Sequence, residues 1–205
     1  MKIFIDTEFI EDGKTIDLIS IGMINEDGEE YYAINLDCKF DRANDWVKEN
    51  VFPPIGIKLE KEFNYIKFPK EKTLLDYYKN KPVIAKEVEL FLRGNNGDRD
   101  IEIWCDYGHY DYVVICQLYG KMINLPNIFP YYFNDIQSLA RQLSRIKNYQ
   151  VLLNSILPED LEIDGNHNAL LGAKSCKLRY EYLETMLTSI QNVLSDERID
   201  LPKFS

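Results

Sequence analysis

The amino-terminal segment Lys2-Ile3-Phe4-Ile5-Asp6-Thr7-Glu8-Phe9 combines a short apolar run with two acids that follow it directly. An uninterrupted apolar run of this kind is typical of a β-strand that is buried on both faces. Side chains two positions apart on a strand point the same way. We therefore expect Asp6 and Glu8 to project together from a core element of the fold.

Two carboxylates held side by side repel each other, and each loses hydration when it is ionised in a partly buried place. Such a pair must take up a proton, find a cationic partner or bind a metal ion. Ligation by oxygen atoms alone favours magnesium or manganese. An acid at a strand end can also be an ordinary turn residue or a helix cap, and for a lone Asp that would be the better interpretation.

The composition is that of an ordinary globular protein. The chain has 205 residues, of which 45% are hydrophobic and 13% aromatic, so one sizeable core and a single domain over residues 1–205 are expected. The formal charge of -10 argues against unspecific binding to polyanions through a broad basic surface. It does not exclude a nucleic-acid substrate, because an acidic site loaded with a divalent metal becomes locally positive.

The sequence also indicates where the protein works. No apolar stretch approaches the length of a membrane span, and the chain begins directly with a predicted strand, so a cytoplasmic location without a membrane partner is expected. The four cysteines form no CxxC pair, and this argues against a zinc site and a disulfide framework. We expect all four to be small core residues: Cys38, Cys105, Cys116 and Cys176.

The first half of the chain predicts consecutive hairpins. Turn residues separate the first strand from strands over residues 15–24 and 29–34, which gives three antiparallel strands. A short helix is predicted over residues 42–51. The proline-containing segment of about residues 52–82 shows no period and is interpreted as an irregular insertion.

Strand and helix alternate in the second half. The spacing of apolar residues predicts a helix over residues 84–92, a strand over 101–105, a helix over about 109–119, a short strand near 133–136 with a helix beginning there, and a final helix over about 168–194. Together with the first hairpins, this pattern predicts an α/β fold in which helices flank a mixed central sheet.

Asp111 lies in the first turn of the predicted middle helix. Val114, Ile115 and Leu118 follow it at three, four and seven residues, so its carboxylate is expected on the core side of that helix. The alternative is an exposed acid that merely interacts well with the helix dipole. Asp106, nearer the preceding strand, is a weaker candidate.

His167 stands just before the long final helix, where a loop can expose a ring nitrogen to solvent and substrate. Histidine is the side chain best matched to accepting a proton near neutral pH. A surface or capping histidine is the alternative interpretation. The other histidine, His109, is taken as structural by default.

These residues together resemble a known family. Asp6-Thr7-Glu8 on the first strand, Tyr110-Asp111 opening a middle helix, and His167 shortly before Ala-Leu at a helix start resemble the DEDDh group of 3′-to-5′ exonucleases, in the RNase T and proofreading-exonuclease superfamily. The Asp-Thr-Glu-Phe-Ile start and the Asp-Leu-Ile-Ser-Ile-Gly second strand are similar to those of small bacterial exoribonucleases. The resemblance covers residues 1 to about 180, apart from the proline-rich middle, and it implies an RNase H-like fold.

The resemblance implies a role for each residue that matches. Asp6 resembles the acid that bridges two metal ions, Glu8 the ligand of the first ion near the substrate terminus, Asp111 the ligand of the second ion, and His167 the general base. Two Mg²⁺ or Mn²⁺ ions roughly 3.5 to 4 Å apart can stabilise the attacking and leaving oxygens of a phosphoryl displacement. The implied reaction releases nucleoside monophosphates from RNA or DNA 3′ ends, with RNA favoured.

Aromatic and polar neighbours of these residues are candidates to contact the substrate. They are Thr7 and Phe9 in the first motif and Tyr110 in the second, and either Tyr107 or Tyr110 could stack on a terminal base. The sequence leaves open whether two chains associate as a homodimer.

One position departs from the family pattern. The family places its last acid five residues after the histidine, and here that residue is Gly172. Glycine costs about 1 kcal/mol relative to alanine inside a helix, so it either packs against a neighbouring backbone or replaces a lost acid. If an acid is lost, cleavage is impaired unless another acid, such as Asp164, replaces it. A non-catalytic nucleic-acid-binding module on the same fold is the alternative function, and an acidic interaction protein would leave Asp6 and Glu8 without a purpose.

Overall fold

The computed structural model describes residues 1–60, 65–67, 69, 72–94, 100–144 and 167–196. Six strands form a mixed sheet in the order β6-β3-β2-β1-β7-β8, and two short strands, β4 and β5, pair separately. The strands are β1 (Lys2–Glu11), β2 (Ile16–Asn25), β3 (Glu30–Asn35), β4 (Lys58–Glu60), β5 (Tyr65–Lys67), β6 (Tyr78–Lys79), β7 (Glu102–Cys105) and β8 (Asn134–Asp135).

Helices cover both faces of the six-stranded sheet, as the sequence predicts. They are α1 (Asp45–Asn50), α2 (Lys72–Leu75), α3 (Lys81–Arg93), α4 (His109–Leu118), α5 (Ile136–Ser144) and α6 (Ala169–Asp196). Single 3-10 turns lie at Phe40–Arg42, Pro53–Ile55 and Met122–Asn124. No helix in the described part of the chain is both long enough and apolar enough to cross a membrane.

Strand β1 is buried on both faces, as its apolar run predicts. Ile3 and Ile5 pack with buried residues of α3 and α4, whereas Phe4 packs with buried residues of α5 and α6. Because side chains alternate along a strand, Asp6 shares the face of Phe4 and is directed toward α6.

Strand pairing leaves one edge of β1 open beside the acids. The parallel pairing of β1 with β7 runs only from Lys2 to Phe4. On the other edge β1 pairs with β2 along its length, with a register shift between Glu8 and Phe9. Such an irregularity bends a strand locally and re-aims the side chains next to it. The open edge beyond Phe4 is where the first turn of α4 can approach the acids.

The interpretation of residues 52–82 as irregular is wrong for the parts that are described. A 3-10 turn, the β4-β5 pair and α2 lie there, and β6 joins the main sheet parallel to β3. Elements of two to four residues are too short to show a hydrophobic period, so pattern analysis could not detect them. The predicted helix at 42–51 is also shorter, because the side chain of Asn44 caps Asp45–Asn50 by accepting from the Val47 N–H at 2.9 Å.

Helix α6 packs directly on the sheet through glycine. A Cβ atom at Gly22 of β2 would overlap the backbone of Ala169 and Leu170, so only glycine allows this close approach. The predicted apolar stripe is buried as far as Leu183, Leu187 is half-buried, and the side chains of Ile190 and Leu194 lie outside the described residues. Its buried members are Ala169, Ala173, Cys176, Tyr180 and Leu183. All four cysteines are buried and free, as predicted.

Candidate active site

Asp6 and Glu8 lie close together with Asp111 in a partly buried cluster of negative charge. Burial, followed by the charges of Asp111, Glu8 and Asp106, raises the pKa of Asp6 well above its ordinary value. Burial and the charge of Asp111 raise the pKa of Glu8 to about 7. These carboxyl groups therefore hold protons more tightly than exposed acids do, which is expected of closely spaced and partly buried acids.

Asp111 reaches β1 from the first turn of α4. It is 5% exposed, and Val114, Ile115 and Leu118 on the same helix are buried, as the sequence predicts. Burial raises the pKa of Asp111 to about 6, although hydrogen bonds from the hydroxyl and backbone of Thr7 counteract the rise. The hydroxyl of Thr7 donates to Asp111 Oδ1 at 2.6 Å.

The donor set suits a hard cation, but not one enclosed by protein alone. Within the described residues, no group of three His, Cys, Asp or Glu side chains is arranged so that it could hold a metal ion. Mg²⁺ does not require such a group, because it is commonly held by one or two carboxylates together with water and substrate phosphate. If Asp6 is shared, each of two ions can have two carboxylate ligands. Asp6 and Glu8 would serve one ion, and Asp6 and Asp111 the other.

Gly172 faces Asp6 across the interface between α6 and the sheet. A Cβ atom at this position would lie 2.6 Å from the carboxyl carbon of Asp6 and 3.1 Å from its Cβ. The neighbour of Gly172 is thus a candidate metal ligand, and the side chain of Asp6 occupies the space that a side chain at position 172 would need. A larger residue here requires Asp6 or the helix to move.

His167 stands at the mouth of the cluster. Its Nδ1 atom lies 3.9 Å from Glu8 Oε1, and its ring packs edge-on against Trp46 at a centroid distance of 4.7 Å. The backbone of His167 has a φ of 58°. The next residue, Asn168, caps α6 by accepting from the backbone N–H of Leu170 at 3.0 Å. The cap fixes where the helix begins and therefore where the imidazole is presented.

Trp46 is a member of the site that sequence reasoning missed. It is 53% exposed on α1 and contacts His167, which is 121 positions later in the chain. The one available signal was a tryptophan in a short predicted helix, and that pattern does not distinguish a packed ring from an exposed one.

The candidate substrate contacts divide into two groups. Thr7 is predicted from the sequence as a candidate substrate contact. In the structure its side chain is 5% exposed and its hydroxyl donates to Asp111, so little of the side chain is accessible to a substrate. Phe9 and Tyr110 stack on each other with a centroid distance of 5.5 Å and an interplanar angle of 6°. Tyr107 is largely exposed and has a φ of 59°.

The remaining acids and the second histidine have other surroundings. Asp106 forms an ion pair with Arg179 of α6 and accepts from Gln137 Nε2 at 2.9 Å, so it ties two helices to the end of β7. His109, expected to be structural, is exposed. Asp164 lies outside the described residues.

Comparison with known proteins identifies the family. No protein-family model matches the chain. Two proteins of Mycobacterium tuberculosis, one from strain H37Rv and one from strain CDC 1551, are each named 3′-5′ exoribonuclease. Each is 40% identical to this chain over 139 residues, which cover 68% of this chain and 73% of the relative.

Solved structures agree on the fold. The nuclease domain of 3′hExo, a DEDDh family member bound to rAMP, superposes with a TM-score of 0.53 at 16% identity and covers 92% of both chains. A 3′-exonuclease that recognises the 3′ end of a histone mRNA stem-loop gives a TM-score of 0.53 at 14% identity, over 90% of this chain and 63% of that one. The RNase H-like fold is thereby confirmed, and DEDDh exonucleases generally depend on divalent metal. The chain belongs to the family of 3′-5′ exoribonucleases that these relatives define, and it is a 3′-to-5′ exonuclease.

Proposed function

We propose that this exonuclease shortens single-stranded RNA from its 3′ end with Mg²⁺ or Mn²⁺ and releases nucleoside 5′-monophosphates. The observation that carries the proposal is the meeting of Asp6, Glu8 and Asp111 at the open edge of β1, with His167 at its mouth. The names of the two relatives support RNA over DNA as the substrate.

The three carboxylates would hold two metal ions between them. Asp6 would be shared, Glu8 would bind the ion nearer the substrate terminus, and Asp111 would bind the other. Support comes from the raised pKa of each group, because closely spaced buried acids are costly unless a cation or a proton balances them. When bound, the ions supply charge that stabilises the attacking and leaving oxygens of the phosphoryl transfer.

His167 would act as the general base. Its ring is exposed at the mouth of the cluster, beside Glu8, where a water molecule can approach a bound phosphodiester. The imidazole takes a proton from this water, the water oxygen bonds to phosphorus, and the bond to the 3′ oxygen of the preceding nucleotide breaks. That oxygen leaves with the bonding electrons and takes up a proton from solvent, which gives the new 3′ hydroxyl. The edge-on contact with Trp46 restricts the ring and so orients its nitrogen atoms.

Phe9 and Tyr110 would contact the terminal nucleotide. Their stacked rings flank Glu8 and Asp111 in the chain, and Tyr110 remains partly exposed. A base that stacks on an aromatic ring gains about 1–3 kcal/mol without regard to its identity. Sequence-tolerant binding suits an enzyme that removes successive nucleotides.

The glycine at position 172 predicts reduced nuclease activity and is the reason to consider a second function. Without an acid at this position, the first ion would have only Asp6 and Glu8 as protein ligands. Loss of one anionic ligand weakens the charge stabilisation on which this type of catalysis depends. A protein that binds RNA 3′ ends without cleaving them is therefore the alternative.

Release of mononucleotides decides between the two functions. The assay uses 5′-labelled single-stranded RNA and DNA of the same sequence, incubated with Mg²⁺, Mn²⁺ or EDTA. Shortening of RNA from the 3′ end that requires metal and is absent in Asp6→Asn supports the enzyme. Binding of RNA with no mononucleotide release at saturating Mn²⁺ supports the non-catalytic module.

A further inference from the structure

A cavity of about 620 Å³ lies on the flank of α4 that faces away from Asp111. It opens between α4 and the segment that leads through β8 into α5. We call it the tyrosine cavity, and its lining includes His109, Tyr112, Tyr131, Tyr132, Asp135 and Ser138. The lining contains none of Asp6, Glu8, Asp111 and His167, so the cavity is separate from the candidate active site.

One helix separates the cavity from the site. His109, Tyr112 and Val113 of α4 line the cavity, whereas Asp111 points toward β1. An α-helix with its side chains is about 10–12 Å across, so about the third or fourth nucleotide from the 3′ end can reach from the site to the cavity. Tyr107 and Tyr110, both exposed, lie at the amino-terminal end of α4. Exposed tyrosine rings therefore lie between the candidate active site and the cavity.

The rim of the cavity is unusually aromatic and open. Tyr131 is 93% exposed and Tyr132 is 68% exposed. Each ring exposes apolar surface to water, and adjacent exposed apolar residues commonly mark a binding site. Tyr112 and Phe133 pack edge-on behind them at a centroid distance of 5.0 Å, which gives the cavity an aromatic wall.

The charges at the cavity disfavour a phosphate as the bound group. The described residues that line it include no lysine or arginine. Asp135 already satisfies the backbone donors at the starts of both helices, accepting from Gly108 at 3.2 Å and from Ser138 at 2.8 Å. The cavity therefore suits a flat, uncharged aromatic group with polar atoms along its edge, and a nucleobase has this chemistry.

We propose that the tyrosine cavity binds an upstream base of the same single-stranded RNA whose 3′ end lies in the active site. The inference rests on the proposed function, because it needs RNA as the substrate. The volume lies within the range of small-molecule sites, which is ample for one nucleoside. Stacking on tyrosine would also allow this acidic protein to hold RNA without a basic surface.

The test is isothermal titration of the protein with RNA of eight and of two nucleotides, each carrying a non-hydrolysable 3′-terminal linkage, in the presence of Mn²⁺. A dinucleotide fills the active site but is too short for the cavity. The variants are Tyr131→Ala/Tyr132→Ala and the control Leu90→Ala, an exposed apolar residue of α3 outside the cavity lining. Thermal unfolding should be unchanged in both, since their side chains are exposed.

The tyrosine double variant should bind the octanucleotide about 5- to 100-fold more weakly, with the dinucleotide affinity unchanged and Leu90→Ala like the wild type. Wild-type affinity of the double variant for the octanucleotide overturns the inference and leaves the proposed function standing. Equal losses for both lengths also overturn it, because they place the rings at the terminal nucleotide. If the wild type binds neither RNA and releases no mononucleotide, the proposed function fails as well.

Discussion

The hydroxyl of Thr7 donates a hydrogen bond of 2.6 Å to Oδ1 of Asp111, and this bond ties β1 to the first turn of α4. Both residues are 5% exposed, so the bond is shielded from water. It favours the ionised form of Asp111 against the effect of burial. Thr7 is therefore best described as a positioning residue for a candidate metal ligand.

Replacement of Thr7 by valine should weaken manganese binding about 10- to 100-fold, the usual cost of losing a residue that orients a metal ligand. Valine keeps the shape of threonine but cannot donate to Asp111. Thr7→Ser is the matched control and should bind almost as the wild type does. Titration calorimetry with Mn²⁺ measures both, and equal affinity of the valine variant and the wild type would contradict the positioning role.

The free energy of unfolding in EDTA should fall as pH rises from about 4.5 to about 7. The pKa of Glu8 is raised to about 7 and that of Asp111 to about 6, so the folded protein retains protons that the unfolded chain has already released. The raised pKa of Glu8 alone corresponds to a loss of about 3 kcal/mol in the free energy of unfolding over this pH range. Urea unfolding across this range measures the loss, which Glu8→Gln should reduce. A flat profile for the wild type would refute the prediction.

Asp6→Asn should abolish divalent-ion binding and nuclease activity while it leaves the fold intact. The substitution removes a carboxyl group whose pKa is raised by burial and by repulsion from the neighbouring acids. Above pH 7, and without metal, the variant should be at least as stable as the wild type. Circular dichroism, manganese titration and the RNA assay test the three parts. Full metal-dependent cleavage by the variant would remove Asp6 from the metal site.

Substitution of His167 should lower turnover by about 10² to 10⁴ with little change in RNA binding, as expected for loss of a general base. Because His167 has a φ of 58°, His167→Asn is preferable to alanine, since asparagine tolerates this conformation. Leu90→Ala, an exposed residue of α3 outside both the cluster and the tyrosine cavity, is the control. Single-turnover kinetics separate cleavage from binding, and equal losses in both would indicate a positioning role.

Gly172→Asp should raise cleavage under saturating Mn²⁺ by restoring a ligand for the first ion. The structure adds a condition, because the new Cβ would lie 2.6 Å from the carboxyl carbon of Asp6. Asp6 must therefore rotate toward the ions. Gly172→Ala adds the same Cβ without a ligand, so it should lower stability and give no gain in activity. The comparison is mononucleotide release by all three proteins on a gel.

If the glycine protein already cleaves as fast as the aspartate variant, Gly172 is not the position of a missing ligand. Another acid would then supply the missing ligand, and Asp164 is the first residue to test by mutation. Mutation of Asp164 to Asn distinguishes this case, since it should abolish cleavage only if that residue supplies the ligand.

Local patterns were sufficient for most of the architecture. The apolar run before Asp6, the turn residues between the first strands and the helical spacing around Asp111 each predict structure within about ten residues, and each prediction is confirmed. The segment around β6 was missed, because a strand of two residues has no measurable period and is stabilised only by pairing with β3.

The candidate site was predicted as a set of residues, but its contacts depend on the folded chain. The order of Asp6, Glu8, Asp111 and His167 carries the resemblance to an exonuclease, since residue type and order are properties of the sequence alone. Thr7 and Asp111 are 104 residues apart, and only packing of α4 against β1 joins them. In the same way, only the close approach of α6 to the sheet places Gly172 against Asp6, because helix packing distance depends on every residue at the interface.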